Sequence, residues 1–276
     1  MKILVPFEFT KSSEAALDFA IHHYQKFGGQ IDILHILINV IPGPEATVIM
    51  PTEDEISVSK KMLDDIVTKK ASEFGIDSKF IYPKVSVGSP VYGILHAEKE
   101  ASYDLIIMGT HDKESLFMRI LGSVSNSIIM NSNTPVMLVH GTSEIKKDIT
   151  NILFVIDDET NIGPALDKFL VYNNELKAHT EFIHFAKEED NIDQQAENIL
   201  QKYYTINDLQ FAFELKTIES SDPQEALQTL IDTNKYQLLV MVKGNEGFFY
   251  NYFRPSFSIK AVHQSNIPAL IYKPDK

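Results

Sequence analysis

The chain contains no cysteine and no apolar run of eighteen residues. Without cysteine there are no disulfides and no thiolate metal sites, a composition that suits a reducing compartment, and a cytoplasmic protein is expected. Without a long apolar run, no transmembrane helix is expected. The opening stretch MKILVPFEF enters a strand pattern at once, with neither the charged nor the apolar region of a secretory signal. Basic residues are scarce: 25 Lys and Arg stand against 38 Asp and Glu, a net charge of −13. Nucleic acid is bound through dense basic patches, so no nucleic acid partner is expected. The densest charge cluster, KEEDNID at 187–193, is acidic and reads as a solvated loop or helix start.

Recognisable catalytic patterns are missing as well. There is no Gly-x4-Gly-Lys-Ser/Thr loop, no His-Glu-x2-His pair and no Gly-x-Ser-x-Gly elbow. Acidic residues are scattered and form no pair at metal spacing. His22 and His23 are neighbours about 100° apart on a helix, which suits surface positions better than a shared metal. No residue stands out as a base poised to activate water, so hydrolysis of ATP is the weakest reading.

What the chain does have is length, a core and an internal repeat. Its 276 residues fit two domains, and an apolar fraction of 44% supports a buried core in each. ILVPFEF at Ile3 returns as ILFVIDD at Ile152, an offset of 149 residues that also relates Ala16-Leu17 to Ala165-Leu166 and His35 to His184. Further along the offset becomes 133: SNTPVMLV answers SNIPALIY, and Pro90, Tyr103, Met108 and Ser123 answer Pro223, Tyr236, Met241 and Ser256. The difference places a 16-residue insertion in the first copy, around 41–55. The reading is a tandem duplication, domains 1–143 and 150–276, with a polar linker near 141–150.

Each copy alternates short apolar strands with amphipathic helices, the signature of an α/β fold whose parallel sheet is covered on both faces. In the first copy KILVPF is a strand. Ser12 or Ser13 can cap a helix whose apolar side runs Ala16, Leu17, Ala20, Ile21, Tyr24, and Gly28-Gly29 stops it. IDILHILINV is a second strand, ending at Val40. Thr52 and Glu55 form a capping box. SKFIYPKVSV is a third strand whose Pro83 suits a sheet edge. Ser89-Pro90 and Asp222-Pro223 each start a helix. YDLIIMG and TPVMLV complete five strands per copy. In such sheets ligands sit beyond the strand C-termini where the strand order reverses, which points to the loops after strands one and four.

ILVPFEFTKSSEAAL near the start, with MGTHDK, LGSVS and TPVMLV at the end of a domain of this size, resembles the universal stress protein family, and the whole chain looks like a tandem two-domain member. The resemblance implies two doubly wound, Rossmann-like domains with strand order 3-2-1-4-5. It also implies pairing of the copies through their apolar last strands as an intrachain pseudo-dimer, with further homodimer formation open. A subset of the family binds ATP through a Gly-x2-Gly-x9-Gly-Ser/Thr loop after the fourth strand. Carried over residue by residue, Gly109 matches the first glycine, and Gly122 and Ser123 match the third glycine and hydroxyl. The second glycine falls on Asp112 and fails. Glu8 stands where the family places a nucleoside-contacting aspartate, and Val40 where a backbone meets adenine. Pro6, Met108 and Val124 flank these positions. The resemblance thus implies an adenine nucleotide, ATP or AMP with Mg2+, in the N-terminal copy, or an interaction scaffold without nucleotide.

Two accounts of Asp112 remain open. A carboxylate about 4 Å from a phosphate charge would cost roughly 4 kcal/mol at an effective dielectric of 20. Alternatively the turn only needs positive φ, which Asp and Asn tolerate; the matching residue of the second copy is Asn245. Lys113 and Arg119 could offset the charge, and His111 lies in the same loop. The second copy departs further. Val242 replaces Gly109, and Pro255 replaces Gly122 and has no N–H to offer a phosphate; Asp157 replaces Glu8. NEGFFYNYFRPSF at 245–257 is aromatic and reads as helix packing or a domain seam, or as a surface for a hydrophobic ligand or a partner. No nucleotide site is expected there.

Overall fold

Strands rich in Ile, Val and Leu bury both faces and leave their connecting helices to supply the cover. In a computed structural model, the residues described are 1–37, 40–41, 47–48, 50–110, 123–141, 148–156, 163–186, 212–233, 235–242 and 267–273. They fall into two compact units, one for each half of the chain.

The first unit contains β1 (Lys2–Pro6), α1 (Lys11–Phe27), β2 (Gln30–Leu37), the two-residue strands β3 (Val40–Ile41) and β4 (Thr47–Val48), and α2 (Glu53–Phe74). It continues with β5 (Ile81–Val87), α3 (Pro90–Glu100), β6 (Leu105–Thr110), α4 (Ser123–Asn131) and β7 (Val136–His140). Its sheet runs β5-β2-β1-β6-β7 with every pair parallel, which is the order 3-2-1-4-5 of the five main strands. The second unit contains β8 (Asn151–Ile156), α5 (Gly163–Leu176), β9 (His179–Ala186), β10 (Phe213–Glu219), α6 (Pro223–Asp232), β11 (Leu238–Val242) and β12 (Ala269–Tyr272). Its order, β10-β9-β8-β11-β12, is the same, again all parallel. No helix among the described residues is long and apolar enough to cross a membrane.

Local chemistry explains most boundaries. Ile3, Leu4 and Val5 of β1, and Ile152, Leu153, Phe154 and Val155 of β8, are fully buried. Gly28 and Gly29 end α1 at φ 66° and 110°, a region open to glycine at no steric cost. Thr52 and Glu55 form the expected box at α2, with each side chain accepting from the other's backbone N–H. Pro83 sits in β5, the edge strand of its unit, where a missing donor costs no ladder bond. At α6 the Asp222 carboxylate accepts from the Glu225 N–H at 3.1 Å. Pro90 opens α3, though the Ser89 side chain makes no capping bond.

Three expectations are corrected. The cap of α1 is Thr10, not Ser12 or Ser13: its hydroxyl accepts from the Ser13 N–H, and the Ser13 hydroxyl accepts from the Thr10 N–H. Ser12 and Ser13 are already inside the first turn and buried. Val40 does not end β2, which stops at Leu37; it starts a short antiparallel pair with Val48, at the entrance to the insertion. His23 is not a surface residue. It lies on the buried side of α1, its ring 4.5 Å from that of Phe19 and 5.6 Å from that of Phe27, and Nδ1 donates to the Phe19 carbonyl. Burial drives its pKa down to about 4, so it is neutral.

Candidate functional site

The strand order places the site. β1 lies between β2 and β6, and the crossover through α1 moves to the β2 side while β6 begins the other half of the sheet. The order reverses between β1 and β6, and the crevice beyond their C-terminal ends is where such sheets receive ligands. Register pairs Ile3 with Leu105 and Leu4 with Ile106, so the two strand ends emerge side by side. Pro6 and Glu8 follow on one side, Met108 and Gly109 on the other. Glu8 is exposed, Pro6 and Gly109 are half-buried, and Met108 is buried.

Gly109 has a structural reason to be glycine. A Cβ built on it would lie 2.3 Å from the Ser12 carbonyl oxygen and 2.7 Å from the Ser13 nitrogen. The end of β6 therefore packs backbone against backbone on the first turn of α1, and any side chain would push the two apart. One residue on, the Thr110 hydroxyl meets His140 Nδ1 at 2.9 Å, and both side chains are buried at the C-terminal ends of β6 and β7.

The loop after β1 is held by aromatic contacts. The Phe7 N–H donates to the Leu34 carbonyl, and the Phe7 carbonyl accepts from His35 Nδ1 at 2.8 Å. Since a carbonyl only accepts, that nitrogen carries the proton. Phe9 takes φ 57°, a left-handed backbone unusual for an aromatic residue. Its ring meets Phe7 edge-on at 5.2 Å and His35 at 4.8 Å. Glu8 stands between these two phenylalanines. Neither the conformation of Phe9 nor its contact with His35 had a sequence signal.

The structure thus brings Pro6, Glu8, Met108 and Gly109 to one crevice. Ser123 is the first residue of α4 and Val124, half-buried, the second, so the N-terminus of a nine-residue helix stands at the sequence position expected to hold phosphate. Asp112 and Gly122, with His111, Lys113 and Arg119, lie outside the described residues. So do Asp157, Asn245, Pro255, Ser256, the acidic stretch 187–193 and the aromatic stretch 245–257. Val242, the counterpart of Gly109, is fully buried in β11. Among the described residues no group of three His, Cys, Asp or Glu could hold a metal ion.

A second constellation, absent from the sequence reading, sits toward the N-terminal ends of the strands and occurs in both units. In the first, the Asp32 carboxylate, 1% exposed, accepts from Lys84 Nζ at 2.7 Å and from the Tyr103 hydroxyl at 2.6 Å. In the second, Glu181, also 1% exposed, accepts from Lys216 Nζ at 2.9 Å, from the Tyr236 hydroxyl at 2.8 Å, and from Lys235. Burial would raise the Glu181 pKa, but these donors outweigh it and hold it at about 2. Burial, with the adjacent carboxylate, pushes both tyrosines well above their usual range. Glu181 follows Asp32 by 149 residues, the offset of the repeat, so the signal was present in the sequence. Each cluster ties the edge strand and the start of the fourth strand to the second strand.

Comparison with known proteins agrees with this architecture. The Universal stress protein family model matches residues 1–140. Universal stress protein YxiE of Bacillus subtilis is 28% identical over 148 residues, 50% of this chain and 97% of that protein. Universal stress protein MJ0577 of Methanocaldococcus jannaschii is 26% identical over 154 residues, 50% of this chain and 93% of its own length. Half-length matches to whole relatives fit a chain made of two copies. The crystal structure of a universal stress protein from Archaeoglobus fulgidus covers 100% of this chain and 97% of its own, with a TM-score of 0.75 at 19% identity, and shares the fold. With its N-terminal 140 residues matched and its strand order repeated, the chain belongs to the universal stress protein family.

Proposed function

We propose that the chain is a cytoplasmic stress-response binding protein whose N-terminal unit receives an adenine nucleotide, ATP or AMP, while its C-terminal unit has lost that capacity. The observation that carries this reading is the crevice at the reversal of strand order. There β1 and β6 end side by side, with exposed Glu8 in the loop after β1 and Met108 and Gly109 near the end of β6. Glu8 is an acceptor for nucleoside donors, and the α4 N-terminus at Ser123 offers N–H groups to phosphate. Gly122 and Val124 flank that start in sequence. Mg2+ would arrive with the phosphates and offset their charge. In the second unit a buried Val242 takes the place of Gly109 and Pro255 that of Gly122, which favours an interaction role for that half.

The test is direct. The purified chain is denatured and the supernatant resolved by anion exchange, then the refolded or unliganded protein is titrated with Mg-ATP and Mg-AMP. Released nucleotide, or a calorimetric response, supports the reading; neither would turn the whole chain into a scaffold. Asp112→Gly then separates the two accounts of that residue, because binding tightens only if the carboxylate opposes phosphate.

A further inference from the structure

The β1–α1 loop contains a conformational cost at Phe9. Phe9 holds a left-handed φ of 57° one residue before the Thr10 cap, although an aromatic side chain disfavours that region. Non-glycine residues persist there only when their surroundings over-determine them, and they gather at functional sites. The surroundings are on hand: the Phe9 ring lies 4.8 Å from His35 and 5.2 Å from Phe7, and His35 is locked by its bond to the Phe7 carbonyl. Glu8, the residue bracketed by these anchors, points none of its polar atoms at a protein donor that the described hydrogen bonds include, and it is exposed. The second copy keeps the histidine, His184, and an acid, Asp157, but replaces Phe9 by Asp158. The ring is therefore missing from the copy that has lost its other site features.

We infer that Phe9 is a positioning residue: its ring, clamped on His35 in a left-handed backbone, fixes Glu8 at the mouth of the crevice so that the carboxylate meets the nucleoside without first being ordered. The inference rests on the proposed nucleotide site. Ordering a side chain before binding improves affinity by removing a cost that would otherwise fall on the complex. The clamp sets position, and Glu8 makes the contact.

The test is isothermal titration of Mg-ATP into the full chain for wild type, Phe9→Asn, Phe9→Tyr, Glu8→Gln and the Phe9→Asn/Glu8→Gln pair. Asparagine tolerates positive φ and so keeps the backbone while removing the ring. Phe9→Gly is measured beside it, and melting curves establish that each variant is folded. Phe9→Asn is expected to weaken binding about tenfold, the fold-change an aromatic pair is worth. Phe9→Tyr, which keeps the ring, restores affinity. In the Glu8→Gln background the Phe9→Asn effect disappears, because the ring acts through the carboxylate; a merely structural role would weaken binding by the same factor in both backgrounds. Equal factors, or no effect of Phe9→Asn and Phe9→Gly on a wild type that does bind, overturn the inference alone. A wild type that takes up no Mg-ATP overturns the nucleotide reading and this inference together.

Discussion

Gly109→Ala separates two reasons for a glycine at the end of β6. If glycine is there only for phosphate, the unliganded protein should not notice a methyl group. The structure says otherwise. The new Cβ would lie 2.3 Å from the Ser12 oxygen, against an ordinary contact distance of at least 3.4 Å, so about 1 Å must be opened. The colliding atoms are backbone of the first turn of α1, and that turn is pinned by the reciprocal bonds of Thr10 and Ser13. No flexible side chain can swing aside. Overpacking of this kind costs about 1 to 3 kcal/mol, and the upper end applies where only backbone can yield. Weakening the cap adds up to about 1 kcal/mol. We expect a loss of about 3 kcal/mol in the absence of nucleotide, read in urea as a midpoint lowered by roughly 1 to 2 M for the N-terminal unit. A midpoint within about 0.3 M of wild type would refute the packing explanation and return Gly109 to the phosphate loop alone. The reciprocal change, Val242→Gly, removes a fully buried side chain from β11 and should cost about 2 kcal/mol or more through the void it leaves.

His23 should make the N-terminal unit acid-sensitive: with its pKa at about 4 in the fold and near 6.5 in the unfolded chain, unfolding takes up a proton between those values. Its contribution is complete above pH 6.5 and falls away as pH drops toward 4, a loss of roughly 2 to 3 kcal/mol by pH 4.5. Urea titrations at pH 7 and 4.5 should show this difference in wild type and a smaller one in His23→Phe; equal differences would contradict it. Tyr103→Phe and Tyr236→Phe each remove a donor from a buried carboxylate, and each should cost about 1.5 to 3 kcal/mol, adding when combined because they act in separate units. The Glu181 cluster predicts a further acid loss at lower pH: its stability is present above about 4.5 and disappears as pH falls through about 2, which Glu181→Gln should abolish in far-ultraviolet acid titrations.

Periodicity and punctuation made the architecture legible from the chain alone. A repeated apolar run at Ile3 and Ile152, capping chemistry at Thr52 and Glu55, and an edge proline at Pro83 each state a local rule that the tertiary structure obeys. The misses have equally local causes. Three hydroxyl residues in four, Thr10, Ser12 and Ser13, are all competent caps, and only the backbone turn selects the first. Apolar residues continue past Leu37 at Ile38, Val40 and Ile41, so residue type gives no sign that β2 ends at Leu37. His23 follows Phe19 by four residues and precedes Phe27 by four, an aromatic stripe at helical spacing in which a polar ring gives no local sign of its own burial. Asp32 and Glu181 interrupt apolar strands, and their lysine and tyrosine donors come from distant segments, so only the repeat offset could have paired them. Of the crevice, the glycine and the acid were readable from the family pattern. The reason for Gly109 and the left-handed Phe9 were not, because both depend on backbone approach that residue type does not encode.

The claim that only the N-terminal copy receives nucleotide is tested most directly by the stoichiometry of Mg-ATP binding to the full chain, measured by calorimetry on unliganded protein and on Gly122→Pro. The account predicts one site per chain in the wild type and none in Gly122→Pro. Two sites, or one site that survives Gly122→Pro, would contradict it.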